Sequence, residues 1–208
     1  MLNLRSATLI IAGITTLVSL VLFTGGLTGN AAGMMGFIPA RLTGTLVLEG
    51  AVPALLTPFS CTLVHGGFLH LFFNVFMLLV CGIAVERVLG PGAVVVIYLV
   101  SAVVSALSQW IVDPTGIAPV IGASGAVSGV IGAYALSFGR PRRISESPSV
   151  NRMVHIVWLA LAWTLLQIAV GFAAGAQGLL LATPAHIGGF LTGLLLQRPL
   201  LLWRYRKA

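Results

Sequence analysis

Residues 121–139 read IGASGAVSGVIGAYALSFG, an apolar run that contains serine but no charged side chain. About 17 to 25 apolar residues are enough to cross the hydrocarbon core of a bilayer as a helix. Five more runs of this kind occur, so we predict spans at residues 5–24, 67–88, 92–111, 121–139, 152–173 and 184–203. The sequence therefore predicts an all-α membrane protein, a bundle of six transmembrane helices.

The composition of the whole chain supports this class. Of 208 residues, 58% are hydrophobic and 7% are charged, and the mean hydropathy is +1.08. Soluble domains carry about 25% charged residues. Helices satisfy their own backbone in lipid, and the alternating pattern of barrel strands does not occur in the sequence. No repeat of fixed period interrupts the chain, so residues 1–208 are expected to form a single domain.

The basic residues predict the orientation, because Lys and Arg are retained on the cytoplasmic side. With the N-terminus inside, ten of the eleven basic residues are cytoplasmic: Arg5, Arg87, Arg140, Arg142, Arg143, Arg152, Arg198, Arg204, Arg206 and Lys207. Arg41 is then outside. We expect a multi-pass protein of the cell membrane with both termini in the cytoplasm. The net charge of +7 lies at helix ends without interleaved aromatic residues, which favours the lipid bilayer over nucleic acid as a partner.

Two stretches near the N-terminus allow other interpretations. The first apolar run could be a secretory signal cleaved near Ala32, which would leave five spans, but its length favours an uncleaved span. Residues 25–66 contain several glycines and prolines and are moderately apolar. We expect this segment outside, lying in the interface or packed on the bundle, with short helices. Cys61 and Cys81 are not expected to form a disulfide.

Polar side chains cluster at the outer ends of three predicted spans. Spans two, four and six all run inward, so their first residues share one depth. These residues are His65, His70 and Asn74 in span two, Ser124 in span four and His186 in span six. Because polar groups are costly in lipid, their convergence indicates a functional site.

Ser124 and His186 are the residue types of a nucleophile and its general base. Ser124 begins a helix, where unpaired backbone amides favour negative charge. An oxyanion there would meet the Ser124 amide, His70 and Asn74, the last two sharing one helix face. Close approach of spans four and six is permitted by small residues: Gly122, Gly125, Gly129, Gly188, Gly189 and Gly193. No buried acidic residue is evident to orient His186, so we predict a Ser–His dyad.

The same residues have less specific interpretations. Ser124 alone could be a small residue at a helix crossing, and His70 with Asn74 could be interhelical hydrogen bonding. His186 could belong to a proton relay. A zinc site of His65, His70 and His186 is a further alternative, but HExxH is absent and no carboxylate lies near His70. We therefore predict no metal and no cofactor, and we interpret Glu86 with Arg87 as a structural anchor.

These motifs resemble those of the rhomboid family of intramembrane serine proteases. The resemblance runs over residues 35–200 and is carried by His65…His70-x-x-x-Asn74, Gly122-Ala123-Ser124-Gly125 and Ala185-His186-Ile187-Gly188-Gly189. It implies a rhomboid-like six-helix bundle with a water-filled cavity open to the outside. It also implies a serine endopeptidase with Ser124 as nucleophile, His186 as general base, His70 and Asn74 at the oxyanion, and His65 in support. The implied substrates are single-span membrane proteins, cut near the outer end of their helix.

The chain departs from the family pattern in two places. The Trp-Arg pair that members often carry in the first outer loop is missing from residues 55–67, and Arg41 and Phe59 are the nearest substitutes in kind. Ser128 stands where some members have an aromatic ring that stacks on the base, so other contacts must position His186.

Two functions of another class are the alternatives to a protease. One is a catalytically silent client-binding protein, although the serine and histidine that silent relatives usually lack are both present. The other is a transporter or proton channel, although spans one, three and five carry no ionisable residue at mid-depth. The fifth span and the loop 174–183, with Gly175 and Gly178, are the candidates for a substrate gate or mobile cap.

Overall fold

The computed structural model describes residues 6–176 and 181–207. Their α-helices are α1 (Ala7–Thr24), α2 (Thr28–Met35), α3 (Pro39–Leu42), α4 (Thr57–Ser60), α5 (Phe68–Leu89), α6 (Pro91–Val112), α7 (Ser124–Phe138), α8 (Pro148–Gly175) and α9 (Thr183–Arg204). The predicted all-α bundle is thus confirmed: a helix of at least 15 residues lies at each of the six predicted spans. The expected cap, residues 174–183, includes residues 177–180, which lie outside the described part of the chain.

Four of the described helices, α1, α5, α6 and α8, are long and apolar enough to cross a membrane. The chain is a multi-pass membrane protein. The helix α7 has 15 residues, or roughly 22 Å at about 1.5 Å per residue, which is shorter than a hydrocarbon core of about 30 Å. It is tolerated because α5, α6 and α9 pack around it and bury most of its central residues, from Ala126 to Ala133.

The start of α7 differs from the sequence prediction by three residues. The span was expected from 121, but the helix begins at Ser124. The reason is Gly122, whose φ of +106° is outside the helical region and is rarely adopted by residues with a side chain. Val120, just before this turn, pairs with Phe37 through two backbone hydrogen bonds of 2.8 and 2.9 Å.

Glycines bring α7 and α9 into backbone contact. A methyl group added at Gly189 would overlap the carbonyl of Gly125, and one added at Gly193 would overlap the carbonyl of Gly129. Such contacts let the two helix axes approach more closely than larger side chains allow. The close approach holds the first turn of α9 beside the first turn of α7.

The N-terminus of α1 is capped by a carboxylate from another helix. Glu86 on α5 accepts hydrogen bonds from the Ser6 hydroxyl at 2.9 Å, the Ala7 amide at 3.2 Å, and the amide and hydroxyl of Thr8 at 2.9 and 2.6 Å. Free amides and the positive end of the helix dipole both favour an acidic group at this position. Glu86 therefore fastens α1 to the end of α5 that lies opposite His70.

The 25–66 segment packs on the Ser124 end of the bundle and carries the short helices α2, α3 and α4. Phe37 and Ile38 are buried. Arg41 donates a hydrogen bond to the Val52 carbonyl at 2.7 Å, within the segment. Phe59 remains exposed. The two substitutes for the missing Trp-Arg pair therefore differ, since Arg41 braces the segment and Phe59 does not pack into it.

Candidate active site

The nucleophile candidate Ser124 is the first residue of α7. The turn before it is held from one side: the Gly122 amide donates to the Cys61 carbonyl at 2.9 Å, and the Ala123 amide donates to His65 Nε2 at 3.3 Å. No side chain caps this helix end, so first-turn amides remain available to an anion. The 25–66 segment, through Cys61 and His65, thus fixes the backbone that immediately precedes Ser124.

His186 lies in the first turn of α9, and its ring contacts Ser124 directly. The distance between His186 Nε2 and Ser124 Oγ is 2.7 Å, a normal length for a hydrogen bond that the hydroxyl donates. The two residues are 62 positions apart in sequence. The structure therefore brings together the serine and histidine that the sequence proposed as nucleophile and base.

The other nitrogen of His186 contacts a residue that the sequence interpretation missed. Gln167 on α8 places its amide oxygen 3.0 Å from His186 Nδ1. Trp163, one turn away on α8, donates its indole N–H to the His186 carbonyl at 3.2 Å. The third member of a serine hydrolase triad is usually acidic, and Gln167 is a neutral amide in an apolar span. The available signal was the spacing of Trp163 and Gln167 on one face of α8.

His70, in the first turn of α5, lies against the loop that precedes Ser124. A Cβ atom at Gly122 would be 2.6 Å from His70 Cε1 and Nε2, so glycine is needed for this approach. His70 Nδ1 accepts a hydrogen bond from the Gly66 amide at 3.3 Å. In a neutral imidazole the proton is then on Nε2, the nitrogen that faces Gly122. In the oxyanion role that the resemblance implies for His70, this N–H would be the donor.

Asn74 is buried one turn below His70 on α5. Its Nδ2 donates to the His70 carbonyl at 2.8 Å, and no hydrogen bond joins it to Ser124 or His186 in the described part of the chain. An amide group has two donor hydrogens, so one is used within the helix. The structure places Asn74 beneath His70, where its amide group bonds to the His70 backbone.

His65 is fully buried and bonded through both ring nitrogens. Since Nε2 accepts from the Ala123 amide at 3.3 Å, Nδ1 carries the proton and donates to Ser19 Oγ at 2.9 Å. Ser19, on α1, donates its hydroxyl hydrogen bond to the Leu63 carbonyl at 3.0 Å. Burial, with a smaller effect of His70, lowers the pKa of His65 to about 3. The neutral His65 ring links α1 to the backbone at Ala123, just before Ser124. Because both ring nitrogens are hydrogen-bonded, neither is free to bind zinc.

A small cavity of about 20 Å³ opens beside Ser124, between the 25–66 segment and α6. Its lining includes Thr62, Ser105 and Gly125. The Ser105 hydroxyl is buried and has no hydrogen-bond partner among the described residues. A cavity of roughly 10 to 15 Å³ holds one water. The site can therefore store a water molecule near the nucleophile.

Comparison with known proteins agrees with these features. The Rhomboid domain family model matches residues 53–203. Rhomboid-like protein 5 of Arabidopsis thaliana is 32% identical over 69% of this chain and 43% of its own length. Rhomboid protease GlpG of Pectobacterium atrosepticum is 34% identical over 71% of this chain and 49% of its own length. Rhomboid protease GluP of Bacillus subtilis is 29% identical over 72% of this chain and 26% of its own length. The chain spans less than half the length of each of these relatives, and its match to the domain over residues 53–203 makes it a member of the rhomboid family.

Proposed function

We propose that this protein is an intramembrane serine endopeptidase that cleaves single-span membrane proteins near the outer end of their transmembrane helix. One observation carries the proposal, the 2.7 Å contact between Ser124 Oγ and His186 Nε2. The names of the bacterial relatives, rhomboid proteases, support the same activity.

Acylation follows from the geometry of the pair. Ser124 Oγ attacks the scissile carbonyl carbon while its proton passes to His186 Nε2. The negative charge on the former carbonyl oxygen meets the Ser124 amide and the Nε2–H of His70, with Asn74 beneath. When the C–N bond breaks, the imidazolium returns its proton to the leaving amine. The substrate carbonyl is then held as an ester on Ser124.

Hydrolysis of the ester needs water at the same carbon. A water from the cavity lined by Thr62 and Ser105 attacks the ester carbonyl and gives its proton to His186 Nε2. The C–Oγ bond breaks, and Ser124 takes that proton back. In an apolar bundle this stored water supplies a reactant that the lipid does not.

The orientation we propose places both termini in the cytoplasm and the Ser124 site toward the outside. The α7–α8 connection holds Arg140, Arg142 and Arg143, and the chain after α9 holds Arg206 and Lys207. Both lie at the end of the bundle opposite Ser124 and His186, which are in the first turns of α7 and α9. The retention of basic residues inside supports an outward-facing site.

The test is cleavage of a single-span reporter protein in liposomes by the wild type, Ser124→Ala and His186→Ala. We expect the wild type to cut near the outer end of the reporter helix, with the product termini located by mass spectrometry, and both variants to be inactive while keeping their helical content. Substantial turnover by either variant would remove its residue from the mechanism. Reporter binding without cleavage by the folded wild type would favour the silent client-binding alternative.

A further inference from the structure

We propose that Gln167 is a positioning residue that makes the dyad a Ser124–His186–Gln167 triad, with the third member supplied by the peripheral helix α8. The inference rests on the proposed protease function and extends it. Reactivity of the dyad then depends on where α8 lies.

The acceptor beside Nδ1 determines which nitrogen of His186 carries the proton. A base that takes the Ser124 proton must present an unprotonated Nε2, so a neutral ring must carry its proton on Nδ1. The Gln167 amide oxygen, 3.0 Å from Nδ1, is an acceptor for that proton. Gln167 therefore favours the tautomer and ring orientation that catalysis needs, the role of the third member in a hydrolase triad.

Gln167 belongs to a regular contact between one face of α8 and one face of α9. Trp163 and Gln167 are one turn apart on α8, and His186 and Phe190 are one turn apart on α9. The rings of Trp163 and Phe190 stack with centroids 4.6 Å apart and an interplanar angle of 8°. With the indole bond to the His186 carbonyl at 3.2 Å, α8 holds both the backbone and the ring of the base.

Ser128 on α7 does not position the His186 ring. Ser128, one turn after the nucleophile, donates its hydroxyl to the Ser124 carbonyl at 2.8 Å. That hydroxyl is thus committed to its own helix. The contact that positions His186 Nδ1 comes from α8.

The helix α8 is held in place mainly by its contacts with α9. No residue of α8 is buried, and α9 is the helix that it mainly contacts. Besides Trp163 and Gln167, its contacts with α9 include Gly171 against Thr183 at one end and Arg152 with Gln197, 3.3 Å apart, at the other. A helix with so little burial is the kind of element that shifts at low free-energy cost. A displacement of α8 away from α9 would release His186 Nδ1, and its return would restore the triad.

The experiment compares three variants with the wild type: Gln167→Leu, which removes the acceptor; Gln167→Glu, which keeps one; and Leu165→Ala, a control on the exposed side of α8. Two rates are measured, modification of Ser124 by a fluorophosphonate and cleavage of a single-span reporter, with kcat and KM separated. Thermal unfolding of each variant reports on the fold.

We expect Gln167→Leu to lower the fluorophosphonate rate and kcat by about 10- to 100-fold, since a misoriented base costs up to ~10⁴-fold in a charged triad. KM should change by less than about twofold, because the group acts on the base rather than on the substrate. Gln167→Glu should recover most of the loss, and Leu165→Ala should match the wild type. Equal rates for Gln167→Leu and wild type would overturn the proposal, as would failure of Gln167→Glu to recover any rate.

A second measurement reads the tautomer of His186 in the wild-type protein, without any substitution at Gln167. In wild-type protein labelled with ¹⁵N-histidine, the imidazole shifts of His186, assigned by their loss in His186→Ala, should report a proton on Nδ1. A proton mainly on Nε2 would contradict the positioning role. Failure of the proposed protease function is distinguishable from failure of the Gln167 role. If the protein is not a serine protease, the fluorophosphonate will modify Ser124 neither in the wild type nor in the Gln167 variants.

Discussion

At the scale of single residues, the site is built from neutral side chains. His65 has both nitrogens bonded, and His70 is committed by the Gly66 amide to a proton on Nε2. Neutral imidazoles suit a bundle in lipid, where a charged side chain costs several kcal/mol. Among the residues that the structure describes, the acidic side chain with several hydrogen bonds is Glu86, which lies at the opposite end and caps α1.

The oxyanion role proposed for Asn74 predicts a kinetic effect. Replacing it by alanine removes the support beneath His70 and a second potential donor, so Asn74→Ala should lower kcat by roughly 10- to 1,000-fold, the range for loss of an oxyanion donor. Reporter cleavage under saturating substrate measures this change. An unchanged kcat would remove Asn74 from the oxyanion site.

The burial of His65 predicts a pH dependence of stability. Its pKa is lowered from 6.5 to about 3 in the folded protein, so the unfolded chain binds the proton first as pH falls. The free energy of unfolding should be retained above about pH 6.5 and should decrease from there toward pH 3. His65→Gln, which is neutral throughout, should flatten this part of the curve in thermal or denaturant unfolding. An identical pH profile for wild type and variant would contradict the assignment.

At the scale of helices, the sequence predicted the number and type of the elements better than their ends. Hydropathy located six helices, because apolar length is what the bilayer requires. It did not locate the start of α7, which depends on the positive φ of Gly122. It also suggested an anchor at Glu86 without its partner, because the contact with Ser6 and Thr8 joins residues about 80 positions apart.

The candidate site divides in the same way. Ser124 and His186 were predictable, because a serine and a histidine at the starts of two parallel spans must share a depth. Gln167 was not, because its role depends on the rotation of α8 about its own axis, which places the face with Trp163 toward α9. Local patterns do not fix such a rotation when most of the helix is apolar.

The glycine contact between α7 and α9 predicts a loss of stability on enlargement. In Gly193→Ala the new methyl group would overlap the Gly129 carbonyl, so the helices must separate, at about 1 to 3 kcal/mol. Gly13→Ala is the matched control, since a methyl group on α1 there meets open space. Thermal unfolding in detergent should show a lower Tm for Gly193→Ala alone. Equal Tm values for the two variants would argue against a close α7–α9 contact.

At the scale of the whole molecule, the bundle has two chemically different ends. The arginines of the α7–α8 connection and the chain after α9 mark one end, and Ser124, His186, His70 and the 25–66 segment mark the other. The helix sides between them expose large apolar residues such as Leu17, Phe73 and Leu165, as lipid contact requires. Ser124 lies half-buried at one end of this bundle, in the first turn of α7.

The central claim is that Ser124 is an activated nucleophile whose base is His186. The most direct measurement is treatment of the purified protein with a fluorophosphonate and mapping of the modified residue by mass spectrometry, with His186→Ala in parallel. The account predicts modification at Ser124 in the wild type and none in folded His186→Ala. No modification of folded wild type, or equal modification of the variant, would contradict it.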